Sequence, residues 1–287
     1  MRSSRYSNIH IKQLSFLLCL SHMASNMSVE QQLLDKYSGD IAQITEVLRK
    51  LQHEIRDRKT KREYGDVVVN VQGVNKVYKV GRDKVEALKN VSLEVMQGEF
   101  LALTGTSGSG KSTLLQLIGG LDKATSGILT VNGDDISKLK DRKLAEFRGR
   151  TIGFVFQFFY LQPFLNLGRN LEVPGIFART KPRLRQAKAT ELAEKVDLSD
   201  RIKHLPNELS GGQMQRAAIA RALLNNPKII LADEPTGNLD RKNAFAIMDL
   251  LSSVRDTFGT TVIVVTHDAE LAARADREVK LQDGEIV

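Results

Sequence analysis

Cysteine is nearly absent: Cys19 is the single one in 287 residues. An intrachain disulfide framework and a multi-cysteine metal cluster are thereby excluded, and a reducing compartment fits. Long apolar runs are also missing, and none approaches the roughly 20 residues that a membrane-spanning helix needs. The chain is therefore not expected to span a bilayer by itself. A large charge imbalance is lacking too, since 42 Lys plus Arg stand against 34 Asp plus Glu, for a net +8. Such an excess could suit nucleic acid or an anionic membrane surface. Much of it sits in RKLQHEIRDRKTKRE (Arg49–Glu63), where a solvated helix face is the favoured explanation. The remaining composition, 41% hydrophobic and 26% charged, is that of an ordinary globular protein with ample core, built as one large or two modest domains.

What the sequence does contain is centred on GTSGSGKST, residues Gly105, Thr106, Ser107, Gly108, Ser109, Gly110, Lys111, Ser112 and Thr113. The spacing fits G-x-x-x-x-G-K-S/T, the loop that cradles nucleotide phosphates. Its flanks agree: EFLALT (Glu99–Thr104) reads as a buried strand before it and LLQLIGG as a helix after it. The glycines let successive N–H groups turn toward one anion. Lys111 adds a charge, the helix start adds the positive end of its dipole, and the Ser112 hydroxyl suits magnesium, an oxygen-seeking ion. This loop alone specifies a nucleoside triphosphate and no more.

Taken in order, residues 1–65 form an N-terminal extension. LSFLLCL (Leu14–Leu20) after Arg2, Arg5 and Lys12 superficially resembles the start of a secretory signal. Met23 and Met27 are alternative starts, SHMAS resembles a cloning remnant, and from Val29 an apolar stripe at helical spacing includes Ile41, Ile44, Leu48, Leu51 and Ile55. The stripe either pairs with another helix or docks on the domain. Val67–Gly81 alternates as strand, with Tyr78 able to stack on adenine or to serve as an ordinary strand residue. Val85–Phe100 predicts two further strands, and SGILTVNGDDI (Ser126–Ile136) a hairpin at its Asn-Gly turn. RKLAEFR reads as a short helix. TIGFVFQ (Thr151–Gln157) is an apolar strand ending in Gln157, whose carbonyl oxygen can ligate magnesium. The aromatic stretch FFYLQPFLNLGRNLEVP, with Pro163 and Pro174, reads as irregular and fit for docking a partner. Arg183–Leu198 predicts a helix. LSGGQ (Leu209–Gln213) opens another, with Ser210 as N-cap and Gly211 and Gly212 permitting close approach of an anion. KIILADE (Lys228–Glu234) is a buried strand ending in Asp233, placed for magnesium, and Glu234, placed to polarise a water. TVIVVTHD (Thr261–Asp268) delivers His267 at its end, and REVKLQDGEIV closes the chain as strand.

With these motifs in this order, residues 66–287 resemble the nucleotide-binding subunit of an ATP-binding cassette (ABC) transporter. GTSGSGKSTLL, GFVFQ and DEPTGNLD are similar to the lipoprotein-release, macrolide-export and cell-division ATPases. The resemblance implies an α/β P-loop NTPase fold: a RecA-like core sheet, an antiparallel β subdomain and a helical signature subdomain over about residues 158–226. It implies ATP hydrolysis with ATP and Mg2+ as ligands. Tyr78 would stack on adenine, Gly105–Thr113 would wrap the phosphates, and Ser112, Gln157 and Asp233 would serve the metal. Glu234 would be the general base, and His267 would sense the terminal phosphate. Ser210, Gly211, Gly212 and Gln213 would face the nucleotide of a second copy, with Asp240 at the dimer seam. The implied assembly is a homodimer of cassettes on separate transmembrane permease subunits, peripheral to the cytoplasmic face of the membrane. Two alternatives are a regulator or force transmitter of the cell-division type, and a nucleic-acid-handling ATPase. The chain lacks the second cassette and long coiled-coil insertion of the latter, so no specific nucleic acid is expected. One departure stands out: LNLGRNL replaces the usual LTALENV, putting Gly168 and Arg169 where an apolar residue and a glutamate are common.

Overall fold

The computed structural model describes residues 64–287. The signal-like stretch and the apolar stripe of the N-terminal extension lie outside the described residues.

Two sheets organise these residues. Strands β1 (Val67–Val80), β2 (Asp83–Met96), β4 (Ser126–Val131) and β5 (Asp134–Asp135) make an antiparallel sheet of order β2-β1-β4-β5. Its second strand differs from the two strands that the sequence predicts over Val85–Phe100. β2 is one long strand, and the irregularity is absorbed as register shifts along β1, while Asn90 takes a left-handed φ of 48°. A bulge bends a strand without ending it, so the broken alternation imitates a boundary. The Asn-Gly signal holds, with Asn132 at φ 49° and Gly133 at φ 81° between β4 and β5. A second such turn, Asp283-Gly284, splits the final strand predicted for the chain into β9 (Arg277–Gln282) and β10 (Glu285–Ile286).

The larger sheet has the order β10-β9-β3-β8-β7-β6, where β3 is Phe100–Thr104, β6 Ile152–Phe156, β7 Ile229–Asp233 and β8 Thr261–Val265. All its neighbours run parallel except the β9–β10 hairpin. Parallel strands are covered on both faces and so read as unbroken apolar runs; every residue of β3 and β8 is buried. Alternate residues serve different layers. Phe100 and Ala102 belong to the cluster holding the helices α3 (Leu167–Phe177), α4 (Pro182–Lys195), α5 (Gly211–Leu223) and α6 (Arg241–Phe258). Leu101 and Leu103 face α1 (Lys111–Ile118), α2 (Asp141–Thr151) and the antiparallel sheet. A short α7 (Ala269–Ala272) precedes β9.

The stretch after Gln157 is irregular only to Asn166. From Leu167 it is helical, with Asn166 capping α3 by accepting the Arg169 N–H, and the helix runs through Pro174. Proline costs a helix one backbone hydrogen bond, and here the buried side chains of Leu167, Leu171 and Glu172 hold the segment helical regardless. Gly168 and Arg169 fall in its first turn, Gly168 donating its N–H to the Ile202 carbonyl and Arg169 reaching Glu172 at 3.5 Å.

The helical layer is fastened to the sheet by a buried ion pair. Arg255 of α6 and Asp276, just before β9, are 5% and 6% exposed at their side chains. The same Asp276 oxygen accepts the Phe100 N–H at 2.9 Å. Removing one partner of a buried pair strands the other charge. Arg255→Ala is therefore expected to lower unfolding free energy by about 3–5 kcal/mol, measured from urea midpoints; a loss below about 1 kcal/mol, the scale of an exposed pair, would contradict this anchoring.

Candidate active site at the strand ends

Sheet register places the chemistry. Leu103 pairs with Val265, Val265 with Asp233, and Asp233 with Phe156, so four strands end at one level. The residues that follow leave the sheet side by side: Gly105, His267, Glu234 and Gln157. This is the carboxyl edge where ligands of open parallel sheets bind.

At the first of these ends the chain turns through Gly105, at φ 140°. A β-carbon there would sit 2.1 Å from the Leu281 carbonyl oxygen, so only glycine fits. Lys111 is buried, and its ammonium donates to the carbonyls of Gly105 (2.9 Å) and Thr106 (2.7 Å), with Ser109 Oγ at 3.4 Å. Thr106, Ser107 and Gly108 remain exposed. The N-cap of α1 is Gly110, at φ 101°, and no side chain caps the helix. Its first N–H groups are thus free for an anion.

Ser112, in the first turn of α1, donates its hydroxyl to Asp233 Oδ1 at 2.9 Å. Burial pushes the Asp233 carboxyl above its ordinary value; the Ser112 hydrogen bond opposes this, the Glu234 charge adds to it, and Lys111 offsets part. Glu234 itself sits at φ 45°, a left-handed conformation uncommon outside glycine and found at functional sites. Its Oε2 lies 3.1 Å from His267 Nδ1. Ser112, Gln157, Asp233 and Glu234 line one cavity of about 260 Å³ together with Phe156, Phe158 and Tyr160. Gln157 is held reciprocally: its Nε2 donates to Asn238 Oδ1 at 3.3 Å, and Asn238 Nδ2 donates to the Gln157 carbonyl at 3.0 Å. The donor set of hydroxyl, amide and carboxylate oxygens fits a hard divalent cation.

Tyr78 is brought to the edge of the phosphate loop. Its hydroxyl donates to Asp122 Oδ2 at 2.8 Å and also meets Thr113, while Lys76 Nζ stands 4.6 Å from the ring centroid. Burial and the Asp122 carboxylate raise the phenol pKa.

The signature residues stand apart from this group. Ser210 caps α5 by a reciprocal box, accepting the Gln213 N–H at 3.3 Å while Gln213 Oε1 accepts the Ser210 N–H at 2.9 Å. A β-carbon on Gly211 would meet Leu239 at 3.3 Å, and one on Gly212 would come 2.9 Å from Asn243 Oδ1. Asp240 caps α6, its two oxygens accepting from the backbone and side-chain N–H of Asn243, which hold the carboxyl below its ordinary value. Ser210 and Asp240 are both exposed.

Sequence reasoning did not single out Asp122, Asn238, Asn243, Gln215 or Arg221. Each acts by holding another site residue through side-chain geometry, which leaves no mark in spacing or hydropathy.

This arrangement matches known proteins closely. The family model described as ABC transporter matches residues 88–237. An uncharacterized ABC transporter ATP-binding protein of Bacillus subtilis, YknY, is 48% identical over 220 residues, covering 77% of this chain and 95% of the relative. The lipoprotein-releasing system ATP-binding protein LolD of Shewanella oneidensis is 45% identical over 219 residues, covering 76% and 95%. The macrolide export ATP-binding/permease protein MacB of Shigella flexneri is 46% identical over 220 residues, which are 34% of that longer protein. Among solved structures, the dimeric post-hydrolysis state of the ATP-binding cassette MJ0796 bound to ADP and Pi aligns at TM-score 0.70 and 45% identity, covering 76% of this chain and 96% of that one. A row of strand ends carrying a phosphate loop, paired carboxylates and a capped signature helix therefore has a plain meaning: the chain belongs to the ABC transporter family, as an ATP-binding subunit that hydrolyses ATP.

Proposed function

We propose that two copies of residues 66–287, the cassette domain, associate head to tail, each completing the other's ATP site, and that their closing and opening drives a separate membrane permease of the lipoprotein- or macrolide-export type. The observation that carries this reading is the placement of two half-sites on one chain. Ser112, Gln157, Asp233 and Glu234 share a cavity. Ser210–Gln213 instead hydrogen-bond among themselves and pack on Leu239 and Asn243, with an exposed cap. An exposed helix N-terminus with close-packed glycines is suited to meeting the terminal phosphate of ATP held by a second copy. LolD and MacB, named for lipoprotein release and macrolide export, and the dimeric MJ0796 cassette support a two-cassette assembly that works with a membrane permease. Among the described residues no helix is long and apolar enough to cross a membrane, which agrees with a subunit held at the cytoplasmic face through its permease.

In each composite site, Tyr78 presents its ring to the adenine, and the loop Gly105–Thr113 binds the phosphates by backbone N–H groups. Lys111 exchanges its own loop carbonyls for phosphate oxygens. Ser112, Gln157 and Asp233 would hold Mg2+, which supplies charge neutralisation on the phosphates when bound. Glu234 accepts the proton of the attacking water; its left-handed backbone aims the carboxylate out of the strand end, and His267 orients it while reading the terminal phosphate. Asp240, tied to Asn243 beneath Gly212, lies at the seam beside the signature.

Glu234→Gln keeps the shape and removes the base. Its hydrolysis rate is expected to fall about 10²- to 10⁴-fold with ATP binding intact, read by phosphate release and a direct titration; unchanged turnover would refute the assigned role. Lys111→Ala is expected to weaken ATP binding itself, and equal affinity in the same titration would contradict the phosphate-loop assignment.

A further inference from the structure

Helix α5 carries the signature at its N-terminus and also grips the backbone of the segment around Gln157. Arg221, near its other end, donates Nη1 to the Tyr160 carbonyl and Nη2 at 2.8 Å to the Phe159 carbonyl. Gln215, wholly buried and nearer the N-terminus of the same helix, donates Nε2 to the Phe156 carbonyl at 3.3 Å. The three acceptors bracket Gln157.

Arg221 is unusual in its surroundings. It forms no ion pair among the described residues, and loss of water lowers its pKa. A half-buried guanidinium whose hydrogen-bond acceptors are carbonyls is a poor source of stability, because neutral acceptors leave its charge uncompensated. What it supplies is geometry: a rigid planar fork that spans the carbonyls of successive residues, which a lysine cannot do. The backbone it holds is strained, since Tyr160 sits at φ 48°. Strain of this kind persists only where the surroundings over-determine it. Here the Tyr160 ring packs edge-on to Phe156, with centroids 5.4 Å apart, and lines the cavity of Ser112, Asp233 and Glu234.

We propose that Arg221, aided by Gln215, is a positioning residue for ATP hydrolysis: it clamps Phe159 and Tyr160 to α5, so that the placement of Gln157 and Tyr160 over one catalytic cavity and the presentation of Ser210–Gln213 to the other copy become a single motion. The proposal rests on the two-copy reading above. It joins a group that meets the metal and nucleotide in its own site to a group that meets the nucleotide in the opposite site, through one rigid helix.

The test is made on the full chain with Arg221→Lys, which keeps the charge and loses the fork, and with Gln215→Met, which releases the same segment at Phe156 without touching Arg221. Steady-state hydrolysis, ATP titration, thermal melting and amide hydrogen exchange are compared with the unmodified chain. The expected result is a turnover number lower by roughly 10- to 100-fold, the scale of a small misplacement in a site, with ATP affinity within about threefold. In the unmodified chain ATP should protect the amides of residues 157–160 and of 210–214 together. In the variants protection at 105–113 should remain while that at 210–214 is lost. Two results separate the failures. Absence of ATP-dependent protection at 210–214 in the unmodified chain would overturn the two-copy reading, and with it this proposal. Protection there that survives in the variants, or turnover within twofold of the unmodified chain, would overturn the clamp alone. A variant that melts lower yet keeps its turnover while folded shows Arg221 to be a structural prop, which also refutes it.

Discussion

Everything in this molecule depends on the register of the parallel sheet. Because Leu103, Val265, Asp233 and Phe156 pair across one row, four separate stretches of chain release their next residues at one edge. A slip of one residue in any pairing would exchange the faces of that strand, driving Phe100 and Ala102 into the layer that Leu101 and Leu103 occupy. The cost of exposing or misplacing those side chains is what keeps Gly105, Glu234, His267 and Gln157 together. The level at which these residues leave the sheet is thus a by-product of core packing.

Above that fixed edge lies a layer of helices that can serve a different purpose. The pair Arg255–Asp276 binds α6 to the sheet through Phe100, whereas α5 reaches the sheet edge partly through polar forks on carbonyls. Both helices bury apolar faces in one core cluster, to which α6 adds a buried ion pair and α5 adds directional hydrogen bonds to a strained segment.

Much of this was legible in the sequence because it is written in local chemistry. A glycine turn between β3 and α1, a strand ending at Asp233 before Glu234, and Ser210 as a cap each follow from residue type and spacing, and these elements are found there. The failures share a cause as well. β2 reads as broken because its irregularity is resolved by its partner β1, information absent from the strand itself. Pro174 suggests an end to regular structure, yet burial of Leu167 and Leu171 outweighs the lost hydrogen bond. Asp122, Asn238 and Arg221 are invisible to periodicity because their partners are 44, 81 and about 61 residues away along the chain.

The central claim is that a catalytic site takes its phosphate loop from one copy and its signature from the other. The most direct measurement mixes two inactive variants of the full chain, Lys111→Ala, which spoils the loop, and Ser210→Arg, which spoils the signature. If sites are shared, a mixed pair contains one site with both parts intact, and hydrolysis by the mixture should rise clearly above that of either variant alone. If each chain completes its own site, every site in the mixture is defective, and the mixture should hydrolyse ATP no faster than the mean of the two variants.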